Sequence, residues 1–249
     1  MRPSALFSYG LMETRRLIYR TRIFFIPAFL MGLVFSIMIY SGVRGGTLSF
    51  PGGDGLALFF VLAISTGIVS FDSRNGWMRG VMSRPIHRST VLGVRMLSAS
   101  IVVFVLLCCC WVSMMIDQGV REGFDVFRDA SVGMILFRGL LLYLLVLTYV
   151  AINSLLSCFV PGNGNSIILL CWSLVRNLLA IGMTQAVMPS FLKTLVNSAF
   201  PSGLANALRN LTHVSFSSPD LAWGIFSLFL YVGLALAAMN RMTADKEGA

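Results

Sequence analysis

Long apolar runs alternate with short polar stretches along this chain, and the runs have the length of bilayer crossings. Residues 23–43 and 96–116 carry no charged side chain. Each reaches the roughly 20 residues a helix needs to cross the hydrocarbon core. Residues 139–175 are uncharged over too great a length for one crossing. The run Pro161-Gly162-Asn163-Gly164-Asn165 divides them, because proline lacks an N–H and glycine favours turns. The pattern therefore predicts an all-α polytopic fold with six spans, at about 23–42, 55–71, 97–116, 133–158, 166–188 and 221–240. All six belong to one transmembrane domain, residues 1–249.

Two segments between and before the spans have a pattern of their own. Residues 3–22 predict an amphipathic helix: at 100° per residue Phe7, Leu11 and Ile18 share one face, while Arg2, Glu13, Arg16 and Arg20 collect opposite. Such a helix, with Arg15, Arg16 and Arg20 as its basic residues, can lie along the inner leaflet. A solvated basic tail that orients the first span is the alternative. Residues 189–220 place Phe191, Leu192, Leu195, Val196, Phe200, Leu204 and Leu208 at helical spacing. They read as short external helices dipping into the outer leaflet, or as an ordinary extracellular loop.

Composition agrees with the span pattern. Of 249 residues 57% are hydrophobic and 12% charged, about half the charge of a soluble domain, and the mean hydropathy is +0.82. The net charge of +9 would fit a nucleic-acid binder, but the position of the charges says otherwise. Five arginines (2, 15, 16, 20, 22) and Glu13 precede the first span. Arg74, Arg79, Arg84, Arg88 and Arg95 stand against Asp72 in the second loop. Residues 117–129 hold four acids (Asp117, Glu122, Asp125, Asp129) against Arg121 and Arg128. Basic loops stay cytoplasmic, so both termini and residues 72–96 are expected inside, and 117–129 outside. Residues 1–43 begin like a signal peptide, but the apolar run is too long and no small-x-small cleavage pattern follows; a retained first span is expected.

Several chemistries are disfavoured. Cys108, Cys109, Cys110, Cys158 and Cys171 show no C-x-x-C spacing, and the consecutive three point about 100° apart on a helix, which suits packing better than gripping a metal. His87 and His213 fall in loops on opposite sides, against an intramembrane serine protease. No carboxylate falls within a predicted span core, against a proton-driven pump. No G-x-x-x-x-G-K-[ST] occurs, so a P-loop phosphate cradle is absent.

The unusual intramembrane residue is Arg176, beside Asn177 in predicted span five. A mid-bilayer arginine costs about 2.5–3.5 kcal/mol on insertion scales and faces a cavity or partner. Three readings stay open: a translocation path or subunit interface, a hydrogen bond to backbone carbonyls or Asn153, or a position nearer the inner surface. Arg138 can snorkel to the outer headgroups.

Residues 71–100, FDSRNGWMRGVMSRPIHRSTVLGVRMLSAS, carry the family resemblance. Asp72 and Arg74, then Gly76, a hydrophobic pair, and Ser83-Arg84-Pro85-Ile86 precede a basic helix. With the entry helix, six spans, and Phe200-Pro201 followed by Leu208-Arg209, the chain resembles the ABC-2 type permeases, the membrane subunits of exporter-type ABC transporters. Family members usually carry Glu-Arg before the glycine, where Asp72-Ser73-Arg74 stands here, and a small polar residue after it, where Trp77 stands.

The resemblance implies a cytoplasmic coupling segment at 72–96 that touches an ATPase, with Asp72, Arg74, Gly76, Trp77, Arg79, Ser83, Arg84, Pro85 and Arg88 as the contact residues. Two short helices, 74–84 and 86–96, would flank Pro85. ATP and Mg would be bound by separate cytoplasmic ATPase subunits, with no cofactor and no catalytic residue in this chain. A second copy or a related permease would complete the membrane part in a prokaryotic cell membrane. The cargo class implied is an amphiphilic or hydrophobic compound moved outward. A membrane scaffold whose basic loop docks another cytoplasmic factor, and a membrane enzyme acting on lipid, are the alternatives.

Overall fold

The structure, a computed structural model, describes residues 3–40, 53–65, 88–123, 132–160, 164–185 and 218–244. Among these residues there are only helices. α1 (Pro3–Thr21) leads through a 3-10 turn (Arg22–Phe24) into α2 (Phe25–Tyr40). α3 (Gly53–Ser65), α4 (Arg88–Glu122), α5 (Val132–Phe159), α6 (Gly164–Gln185) and α7 (Ser218–Ala244) follow. Four stretches are helical, long and apolar enough to cross a bilayer: Phe7–Val34, Thr90–Arg121, Gly139–Phe159 and Leu221–Ala238. Leu56–Ser65 is a shorter apolar helix. The described residues are thus all-helical, and the four long apolar helices make the chain a multi-pass membrane protein.

α4 organises the bundle. Its buried positions Leu92, Met96, Ala99, Val103, Leu106 and Cys110 recur at three and four residues, the spacing that lines one helical face. They pack with Phe60 and Val61 of α3 and Leu141, Leu145 and Val146 of α5 into one apolar core. α1, α2, α3, α5 and α7 all lie against α4, while α6 rests on α5. α4 runs 35 residues, about 52 Å, so its ends stand clear of about 30 Å of hydrocarbon.

Small residues set the closest approach. Within lipid, helices associate through close packing and interhelical hydrogen bonds, not through expulsion of water. Ala28 and Gly32 on α2, one turn apart, meet Cys110 and Ser113 on α4. A Cβ on Gly32 would lie 2.9 Å from the Cys110 Cα and closer still to Ser113 Oγ, so only glycine fits there. The Cys110 thiol donates to the Ala28 carbonyl at 2.8 Å.

The helix directions follow from the contacts. Gly10 and Glu13 lie beside Val94, Arg95 and Ser98, while Ala28 and Gly32 lie beside Cys110 and Ser113, so the α1–α2 unit runs parallel to α4. Phe104 and Ser100 of α4 meet Tyr143 of α5, and Gly139 faces Phe104. A step up α4 is a step back along α5, so those two are antiparallel.

Two expectations change. Glu13 does not join the solvated arginine face: it is 5% exposed and turned onto α4. Residues 88–96 are not a separate short helix but the first turns of α4, continuous with the span. Residues 66–87 and 186–217, with the expected helix 74–84 and the expected external helices, lie outside the described residues.

Candidate functional site: two buried polar clusters at the roots of the basic loop

α3 is described to Ser65 and α4 from Arg88, and the residues between them, 66–87, lie outside the described residues; these two described ends are taken as the roots of the basic segment. A buried polar cluster stands at each root. Polar groups inside an apolar bundle are costly unless hydrogen-bonded or charge-paired, and both clusters meet most of that demand by joining different helices.

At the α3 root the Ser65 hydroxyl donates to the Val61 carbonyl at 2.6 Å and accepts from Asn153 Nδ2 of α5 at 2.6 Å. Asn153 Oδ1 accepts from Asn165 Nδ2, in the first turn of α6, at 3.1 Å. Three helices are therefore tied through one amide. Ser65, Asn153 and Asn165 are all fully buried. Among the described residues Asn165 Oδ1 has no hydrogen-bond partner.

At the α4 root Arg95, 3% exposed, places its Nε 3.7 Å from Glu13 Oε1 of α1 and 3.4 Å from the Tyr9 hydroxyl, to which it donates. Arg16 stands on the solvent side of Glu13 at 3.6 Å. The Ser98 hydroxyl donates to the Gly10 carbonyl at 3.4 Å one turn further along. At these separations Glu13 and Arg95 are a charge pair more than a tight hydrogen bond, and the inner charge is compensated within the protein.

Both clusters lie at the same end of the bundle. Because Tyr143 meets Ser100 and Phe104 in an antiparallel pair, Asn153, ten residues further along α5, stands level with about residue 90 of α4. The two clusters therefore join α1, α3, α4, α5 and α6 near one level.

The other expected site residues are placed only in part. Asp72, Arg74, Gly76, Trp77, Arg79, Ser83, Arg84 and Pro85 lie outside the described residues, and Arg88 is described only as the first residue of α4. Arg176 and Asn177 lie on α6, their side chains outside the described residues. Asn153 is engaged by Ser65 and Asn165. Arg176 is eleven residues, about 16 Å, along α6 from Asn165. Arg15, Arg16 and Arg20 are exposed on α1.

Three members of the clusters were not singled out in the sequence: Glu13 as a buried partner, Ser65 and Asn165. Arg95 was counted only as a loop charge. The signal for Arg95 was its setting, LGVRMLSAS, apolar and small on both sides. Glu13 carried a signal as the lone acid among the arginines before the first span. Ser65 and Asn165 carry none, since a lone serine or asparagine in or beside an apolar run does not reveal its partner on another helix. No protein-family model matches the chain, and no curated protein matches it either.

Proposed function

We propose that this chain is the membrane-spanning permease subunit of an ATP-driven exporter of the ABC-2 type. Six crossings with both termini cytoplasmic would hold residues 72–96 against a separate ATPase subunit, and a second permease would complete the pathway. The cargo class is an amphiphilic or hydrophobic compound: a drug, antibiotic, antimicrobial peptide or lipid-linked saccharide. Arg79, Arg84 and Arg88 would pair with acidic groups of the ATPase, and Trp77 would fill its cleft, as tryptophan and arginine commonly anchor interfaces. Arg176 and Asn177 would face the cargo path or the second permease.

The observation that carries this reading is the pair of buried clusters at the loop's roots. A segment that only connected two spans would need no such bracing. A segment that converts a partner's motion into helix tilt needs stiff roots, and here Ser65–Asn153–Asn165 and Arg95–Glu13 join α3 and α4 to three further helices, α1, α5 and α6. The test is purification of the chain from its native membranes with its natural partners. A co-purifying P-loop ATPase, with hydrolysis reduced by R84A and P85A, is expected. Isolation with a different cytoplasmic factor and no nucleotide-binding subunit would make the chain a scaffold.

A further inference from the structure

The hydrogen bonds among Ser65, Asn153 and Asn165 fix the relative height of three helices, and each helix leads from that tie to a charged residue. On α3, Asp54, Leu58, Val61 and Ser65 follow one another at four, three and four residues, which is one face. On α6, Asn165, Leu169, Trp172 and Arg176 repeat that spacing. On α5, Arg138, Leu142, Leu145 and Tyr149 repeat it again, and Asn153 is one turn further. Leu58, Val61, Leu142, Leu145, Tyr149 and Leu169 all belong to the apolar core, so the three faces run from the tie back into the bundle.

Counted from the tie, Asp54 and Arg176 are each eleven residues away, about 16 Å, and Arg138 fifteen, about 22 Å. The three charged positions therefore lie within about one helical turn in height, on faces that the tie turns toward one another. That height is deep: Gly139, beside Arg138, faces Phe104, near the middle of the uncharged residues 96–116 of α4. The sequence pattern set Arg138 at the outer headgroups and Asp54 ahead of its span, and the register of the contacts brings both inward. The face of α6 also opens along the way. Exposure is 0% at Asn165 and 1% at Leu169 but 43% at Trp172, so the space between α6 and the core widens toward Arg176.

We propose that Asp54, Arg138 and Arg176 form one charged cluster that binds the head of a singly anionic amphiphile. Neither α5 nor α6 contains an acid, and Glu13 and Asp117 are engaged elsewhere by Arg95 and Arg121. One carboxylate set against two guanidiniums leaves one positive charge, and a buried charge without a counterpart is costly. Asp54 neutralises one arginine, and the other grips the anionic head, a match that guanidinium makes bidentately. The apolar face of α6 beside the cleft, with Trp172, receives the chain. The site deepens the cargo reading by giving the cargo a negative head, and rests on that reading only for export of the bound molecule. Binding needs no ATPase, so either proposal can fail alone.

The test uses the full chain in neutral detergent, with binding read by titration calorimetry. Dodecanoate, dodecyltrimethylammonium and acetate are added separately, and only dodecanoate is expected to bind. R138Q and R176Q should each lower its affinity about tenfold, whereas D54N, which frees both arginines, should raise it. R241Q, which removes an exposed arginine of α7, should bind like the wild type. Equal binding of the trimethylammonium compound, a full response to acetate, unchanged R138Q and R176Q, a loss in D54N, or an equal loss in R241Q would overturn the site. Should the arginine variants not purify, modification of the wild type by phenylglyoxal decides. Dodecanoate should protect Arg138 and Arg176 but not Arg241, and equal modification with and without it overturns the site.

Discussion

At the residue scale, the energetic centre of the bundle's loop-bearing end is the Glu13–Arg95 pair. Removing one partner of a buried pair leaves an uncompensated charge and costs about 3–5 kcal/mol, whereas replacing both can be nearly neutral. R95M alone should therefore lower the thermal unfolding temperature in detergent far more than E13Q/R95M does. If the double variant is as unstable as R95M, the pair has been misread. The amide of Asn153 makes a parallel case. N153L removes the donor to Ser65 and the acceptor for Asn165 together, and interhelical polar contacts in membranes contribute about 1–2 kcal/mol. S157A, whose hydroxyl bonds within its own helix to the Ser154 carbonyl, should cost under about 0.5 kcal/mol, and equal losses would deny Asn153 its bridging role. Such long-range pairs are hidden from a linear reading: Arg95 and Glu13 are 82 positions apart, and hydropathy treats both as solvated charges.

At the element scale, the α2–α4 seam depends on the absence of side chain at Gly32. G32L would place carbon on the backbone at Cys110, and overpacking of this kind costs about 1–3 kcal/mol. G233L is the control, because nothing lies within 4 Å of a Cβ there. The first should lower the unfolding temperature and the second leave it unchanged; an unaffected G32L would mean that the helices stand further apart. The elements themselves were largely legible. The apolar runs appear within α2, α4, α5 and α7, and α5 and α6 are separate helices on either side of Pro161-Gly162-Asn163, since run length and helix breakers are local properties. A basic helix after Pro85 was legible; its continuity with the span in one 35-residue helix from Arg88 was not, because the charges set it apart from the apolar run until packing against α1 is seen.

At the scale of the whole molecule, helix directions and loop charge support one arrangement. The α1–α2 unit runs with α4, and α4 runs against α5, as spans one, three and four would in a six-span chain that starts inside. In that arrangement the basic loop, its two braced roots and the arginines of α1 all gather at the cytoplasmic end. The most direct measurement is reagent access from either side of the membrane. In a background with C110S, which keeps a small hydroxyl donor to Ala28, and the other four cysteines changed to alanine, single cysteines W77C and D125C are exposed to a membrane-impermeant maleimide. D125C should label in intact cells and W77C only after permeabilisation. Labelling of W77C in intact cells would put the basic loop outside and contradict the account.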